Sequence, residues 1–165
     1  MSKTRTMSFL AMLSAMAIVF NMIENMLALP LGIRIGMANI IALIVVHIYG
    51  VKEMLFVNML RVVASGLLSG IILSYPWWMS VGGVTLSSLM LMMLYKHSSF
   101  IFTGVMCAIA HSTGQILVLS FFLTSSAFMP YLGIMIIMSI ITGVLTGKVS
   151  EIATKRLKRG IHHAS

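Results

Sequence analysis

Six long apolar runs, separated by breaks of only a few residues, occupy this chain from residue 7 to residue 148. A helix that crosses the hydrocarbon core of a bilayer needs about 20 mostly apolar residues. Segments of that kind lie at about 7–29, 33–49, 54–74, 76–95, 99–123 and 130–148, the second being short unless Arg34 is included. The runs are too long for strands and do not alternate with a period of two, which excludes a transmembrane barrel. Charge is scarce as well: 8% of residues are Asp, Glu, Lys or Arg and 59% are hydrophobic, against about a quarter charged in a soluble domain. Such a surface cannot face water. The chain reads as an all-α integral membrane protein, a single domain (1–165) built as a bundle of six transmembrane helices, with a basic cytoplasmic tail at 149–165.

The breaks carry the topology. Gly50-Val51-Lys52-Glu53, Ser74-Tyr75-Pro76, Lys96-His97-Ser98 and the stretch from Thr124 to Pro130 hold turn formers or charge. Tyr49, Tyr75, Trp77, Trp78, Tyr95 and Tyr131 fall at segment ends, where aromatic rings settle at the membrane–water interface. Lys3, Arg5, Lys52, Lys96, Lys148 and the cluster Lys155-Arg156-Leu157-Lys158-Arg159 share one side, so both termini are expected in the cytoplasm and the tail at its anionic surface. The net charge of +8 therefore reflects positive-inside orientation and not nucleic-acid binding. Lys3, Arg5 and Ala15-Met16-Ala17 imitate a cleaved signal, but the apolar run continues past that point and favours a retained first helix.

Two basic residues break the pattern, Arg34 in an outer loop and Arg61 inside the third segment. A cation at the centre of a membrane helix costs roughly 2.5–3.5 kcal/mol on insertion scales and marks a functional position by default. Arg61 shares a helical stripe with Asn58, Ser65 and Ser69, at i, i+3, i+7 and i+11 counted from Asn58. Lipid cannot satisfy that stripe, so it is expected to face the bundle interior. In the fifth segment His111 and Gln115 share a face, with Cys107 one turn before them. Asn21, Glu24 and Asn25 close the first segment, Arg34 follows, and Asn39 enters the second. Two readings stand side by side. Glu24 and Arg34 can form an interfacial ion pair that snorkels to water, and Arg61, His111 and Gln115 a purely structural network. Alternatively, Glu24, Asn25, Arg34, Asn39, Asn58, Arg61, His111 and Gln115 line a cavity for a polar or anionic group with an apolar body.

Small residues spaced by four suggest helix contacts. Ala11–Ala15, Gly66–Gly70 and Gly143–Gly147 are such pairs. Packing within the bundle explains them, or one faces lipid and docks another subunit, for which Ala11–Ala15 is the candidate. No catalytic set is found. The chain has no Asp, one cysteine, no phosphate-binding loop and no haem, flavin or cluster motif, so neither an enzyme acting alone nor a bound cofactor or metal is expected. The 17 Met carry no metal-type spacing and suit packing, and His162-His163 has too few companions for a metal site.

At Gly32-Ile33-Arg34-Ile35-Gly36-Met37-Ala38-Asn39-Ile40, Arg61 and His111-Ser112-Thr113-Gly114-Gln115 the chain resembles the Gx transporter family, also described as heptaprenyl diphosphate synthase component I. That family is similar in turn to the substrate-binding S components of energy-coupling-factor (ECF) transporters. Ala11-Met12-Leu13-Ser14-Ala15 matches the Ala-xxx-Ala motif by which S components dock their coupling subunit. The resemblance implies a substrate-binding subunit in a bacterial cytoplasmic membrane, powered by a separate coupling protein and two ATPases. Arg34 and Asn39 would belong to its outer gate, and Glu24, Arg61, His111 and Gln115 to its pocket. The family label suggests an isoprenoid, quinone or vitamin precursor as substrate. Two other functions stay open: a non-catalytic membrane partner of a soluble prenyl diphosphate synthase, and a membrane component of quinone- or flavin-linked electron transfer.

Overall fold

The computed structural model describes residues 3–27, 36–123 and 129–163, and among these every regular element is an α-helix. The order is α1 Lys3–Leu27, α2 Met37–Ile48, α3 Val51–Leu68, α4 Tyr75–Leu94, α5 Phe100–Leu123 and α6 Met129–His163. Four stretches, Thr4–Met26, Tyr75–Leu94, Phe100–Phe122 and Leu132–Arg159, are long and apolar enough to cross a bilayer. Their outer faces carry large apolar side chains such as Met26, Met93, Phe121 and Ile137, all exposed. This is an all-α membrane bundle.

Helix α2 is the exception that organises the rest. Its 12 residues span only about 18 Å, short of a hydrocarbon core of about 30 Å. Residues 41–46 are buried without interruption, so the helix is apolar all round and belongs inside the protein, not against lipid. It touches α1, α3, α5 and α6. Leu13 and Ala17 of α1, Met54 and Val57 of α3, Leu91 of α4 and Cys107 of α5 close around it as the apolar core.

The contacts among α4, α5 and α6 are set by glycine. Helices α5 and α6 run antiparallel and meet at Gly104, Gly143 and Gly147. A Cβ on Gly143 would lie 2.5 Å from Val105 Cα, and one on Gly147 2.6 Å from the Phe100 carbonyl oxygen. Gly82 and Gly114 do the same for α4 and α5. Of the small pairs expected from sequence, Gly143–Gly147 packs helix on helix, while Gly66–Gly70 divides into two unrelated tasks. Gly66 leaves room for the Trp77 indole, whose Cδ1 would stand 2.4 Å from an added Cβ. Gly70 (φ 66°) ends α3 in a left-handed turn. There Gly70 N–H donates to Leu67 O and Ile71 N–H to Gly66 O, the double bond of a Schellman motif. The third helix therefore stops at Leu68, and Ser69 caps it instead of extending its stripe.

Nor does the sixth helix end with its apolar run. It continues through the basic segment to His163, and Thr146, Ser150 and Thr154 form a buried stripe at i, i+4 and i+8. Ser150 Oγ donates to Ile40 O of α2 at 3.3 Å. Lys155 pairs with Glu151 one turn back on the exposed side.

Gly143→Val should lower unfolding stability in detergent by about 1–3 kcal/mol, the penalty of forcing bulk into a closed contact. Gly133→Ala, where an added Cβ meets nothing within 4 Å, should stay within about 0.5 kcal/mol of the parent. Denaturant titration of the two variants side by side checks both.

Candidate functional site

Helix α3 carries the polar chemistry inward. Asn58, Arg61 and Ser65 are 3%, 1% and 2% exposed, because one face of α3 must shelter what lipid cannot solvate. Each reaches a different helix. Asn58 Nδ2 donates to Ser88 Oγ of α4 at 2.8 Å and also approaches Met54 Sδ at 3.2 Å. Arg61 Nη2 donates to Asn39 Oδ1 of α2 at 3.1 Å. Ser65 Oγ accepts from Asn21 Nδ2 of α1 at 2.6 Å. Four helices thus meet in one buried polar belt.

Glu24 does a related job from α1. It lies on the inner stripe that includes Ser14, Ala17 and Asn21, and it is buried. Its Oε1 accepts the backbone N–H of Met37 at 2.5 Å. That N–H is one of the donors left open at the start of α2, and a carboxylate there also favours the positive end of the helix dipole. Gly36, the residue before it, takes φ 78° and contributes no side chain, so the capping oxygen has to come from another helix. Asn25 is half-buried and stands one position off the stripe. Arg34, with residues 32–35 of the loop motif, lies outside the described residues.

His111 and Gln115 enter from α5 opposite Gly83 of α4. An added Cβ at Gly83 would lie 2.9 Å from His111 Nε2 and 3.0 Å from Gln115 Cγ. Only glycine lets both polar side chains sit under α4. Gln115 is 1% exposed, and neither its Oε1 nor its Nε2 has a hydrogen-bond partner. An orphaned amide in a dry interior costs about 1–3 kcal/mol per group, and among the described residues nothing offsets that cost at Gln115. Asn58 Oδ1 is orphaned in the same way.

The space around the belt is tight. One cavity of about 10 Å³ is lined by Asn39, Leu43, Asn58, Ser87, Ser88 and Cys107 among others. A second, also about 10 Å³, is lined by Asn39, His111, Ser112, Ser139, Thr142 and Thr146 with Gly36 and Ala108. Each is the size of a single water. Asn39 is common to both, so the residue that holds Arg61 also separates them. Of the expected site residues, Asn39 and Arg61 are hydrogen-bonded to each other, Asn58 lies one turn before Arg61 on α3 and is bonded to Ser88 instead, and His111 lines the same small space as Asn39. Ser88 completes the belt and was not expected. Its signal lay in the α4 sequence: Ser80, Gly83, Val84, Ser87, Ser88 and Leu91 recur every three or four residues and are all buried.

On the outside of α1, Ala11 and Ala15 are exposed, in a face shared with Met7, Met12, Met16 and Val19. Among the described residues no group of three or more His, Cys, Asp and Glu could hold a metal.

Asn39→Ala removes the acceptor from a buried guanidinium. It should lower stability by about 1.5–3 kcal/mol, the worth of a hydrogen bond to a charged group. Asn25→Ala, on the same side of the bundle but off the belt, should change it by no more than about 0.5 kcal/mol. Equal effects in a thermal or chemical unfolding series would show that the belt is not what stabilises this region.

One family model, heptaprenyl diphosphate synthase component I, matches residues 13–153. No curated protein matches the chain, and no solved structure does.

Proposed function

The chain belongs to the heptaprenyl diphosphate synthase component I family, and from its geometry we propose that it is a membrane-embedded substrate-binding subunit with no catalytic role of its own. The observation that carries this reading is the Gln115 amide, 1% exposed and without a hydrogen-bond partner among the described residues, in a bundle that also buries an arginine. A protein that only needed packing would fill such positions with apolar groups at no loss of stability. A subunit that receives a ligand needs open donors and acceptors in a dry site. Arg61 supplies the positive charge, Asn39 orients it, and Asn58, His111 and Gln115 offer further polar contacts. That set suits a small amphipathic or anionic compound, an isoprenoid, quinone or vitamin precursor. Its outer gate would include Arg34.

The finer reading is an S-component-like subunit of an ECF-type transporter in a bacterial cytoplasmic membrane, with both termini inside. The exposed Ala11–Ala15 face of α1 supports it, because two small side chains on a lipid-facing surface allow another helix to approach closely. A coupling membrane protein would dock there, and its ATPases would drive release. A second reading has its own support in the family's description: a membrane partner of a prenyl diphosphate synthase. Lys52, Lys96 and the basic end of α6 are exposed and would meet a soluble enzyme.

Ala11→Trp combined with Ala15→Trp should abolish co-purification of a coupling protein while leaving bound ligand in place. Arg61→Ala should remove the ligand and reduce uptake. Native mass spectrometry of the detergent-purified complexes reads both. Recovery of a soluble synthase, with uptake unchanged when the gene is deleted, would replace the first reading by the second.

A further inference from the structure

The ligand-sized space among the described residues lies away from the small cavities of the belt, between α3 and α4. It has a volume of about 450 Å³, within the range of small-molecule sites. Its α4 wall extends from Trp77 to Met92, about 22 Å of helix axis. A space of that length with apolar walls suits an extended hydrocarbon chain. The walls are Val62, Val63, Val81, Val84 and their apolar neighbours. The rim residues Leu55, Met59, Val63 and Leu89 are 42%, 68%, 38% and 50% exposed, on the surface that the bundle turns toward lipid. The slot is held open at both contacts that cross it. At one end Trp77 Nε1 donates to Val62 O at 3.1 Å. Toward the other, Asn58 Nδ2 donates to Ser88 Oγ.

Asn58 and Ser88 line both this slot and the small cavity behind it. Asn58 is 3% exposed and keeps one amide atom, Oδ1, without a partner. Whichever way the amide is turned, one of its two polar atoms is left for a ligand. A hydroxyl can serve either, since it donates and accepts. No Lys, Arg or His lines the slot, so a phosphate or carboxylate brought to Asn58 would find no counter-charge at that depth. Asn58 lies about 10 Å along α3 from its first residue Val51, below the headgroup level.

We propose that the α3–α4 slot is a lipid-accessible binding site for a neutral lipid that ends in a hydroxyl, this hydroxyl hydrogen-bonded at Asn58 and the hydrocarbon chain lying toward Trp77. The molecule enters sideways from the bilayer, since the rim is on the lipid-facing side. The site shares Asn58 with the belt, whose other proposed ligand residues, Asn39, Arg61, His111 and Gln115, do not line the slot.

The test is photolabelling of the full chain in phospholipid nanodiscs with a long-chain primary alcohol that carries a diazirine in its chain. The expected result is saturable labelling of α3 and α4 peptides between Leu55 and Met92, displaced by unlabelled alcohol. A fatty acid or an alkane of the same length should displace it about three- to tenfold less well, the worth of one net hydrogen bond. Val63→Trp, on the exposed rim, should block labelling without unfolding the chain. Ser88→Ala and Asn58→Leu should erase the preference for the hydroxyl. The milder Ser88→Ala keeps the test available if Asn58→Leu does not fold. Labelling that spreads over the lipid-facing sides of α1, α5 and α6, or that does not saturate, overturns the proposal and leaves ordinary boundary lipid. Equal displacement by alkane and alcohol overturns the role of Asn58.

Discussion

A guanidinium cannot be left in hydrocarbon, and the way Arg61 is sheltered determines most of what surrounds it. Its acceptor, Asn39, sits on α2, and α2 can present that side chain only because it is buried on all sides. That burial requires the other helices to close around a segment too short to cross the bilayer. The polar links from α3 to α1 and α4 then follow from the same stripe, with Asn21, Ser65, Asn58 and Ser88 each satisfying a group that lipid would leave bare. Helix order in this bundle is in that sense an answer to one buried charge.

The bundle divides into two kinds of packing. Helices α4, α5 and α6 are joined by backbone-to-backbone contact at Gly82, Gly104, Gly114, Gly143 and Gly147, a geometry that tolerates almost no displacement. Helices α1, α2 and α3 are joined to each other by side-chain hydrogen bonds, and α3 meets α4 across an open slot. Side-chain contacts can exchange partners with a ligand, whereas glycine crossings cannot. Two of the residues in the proposed binding set, Asn58 and Arg61, lie on the side held by such side-chain contacts.

Much of this was legible in the residues alone. Long apolar runs name the class, and the spacing of Asn58, Arg61 and Ser65 names the inner face of α3, because periodicity is a property of a single helix. What was not legible depends on pairing between helices. The partner of Glu24 is a backbone N–H of Met37, which no side-chain pattern announces. Gly66 and Gly70 have the spacing of a packing motif, yet one makes room for Trp77 and the other turns the chain. Ser88 matters because Asn58 happens to lie across from it. The slot between α3 and α4 is an absence of contact, and sequence records only the residues that would line it. Arg34, the other misplaced charge, falls outside the described residues, and its place in a gate rests on the resemblance alone.

The long sixth helix carries its basic end into the bundle without a break. Its basic residues, from Lys155 to Arg159, are continuous in one helix with Ser150, which is bonded to the backbone oxygen of Ile40. Ile40 adjoins Asn39, the residue that grips Arg61. The basic end of α6 and the neighbour of the residue that binds Arg61 are therefore tied to one continuous helix.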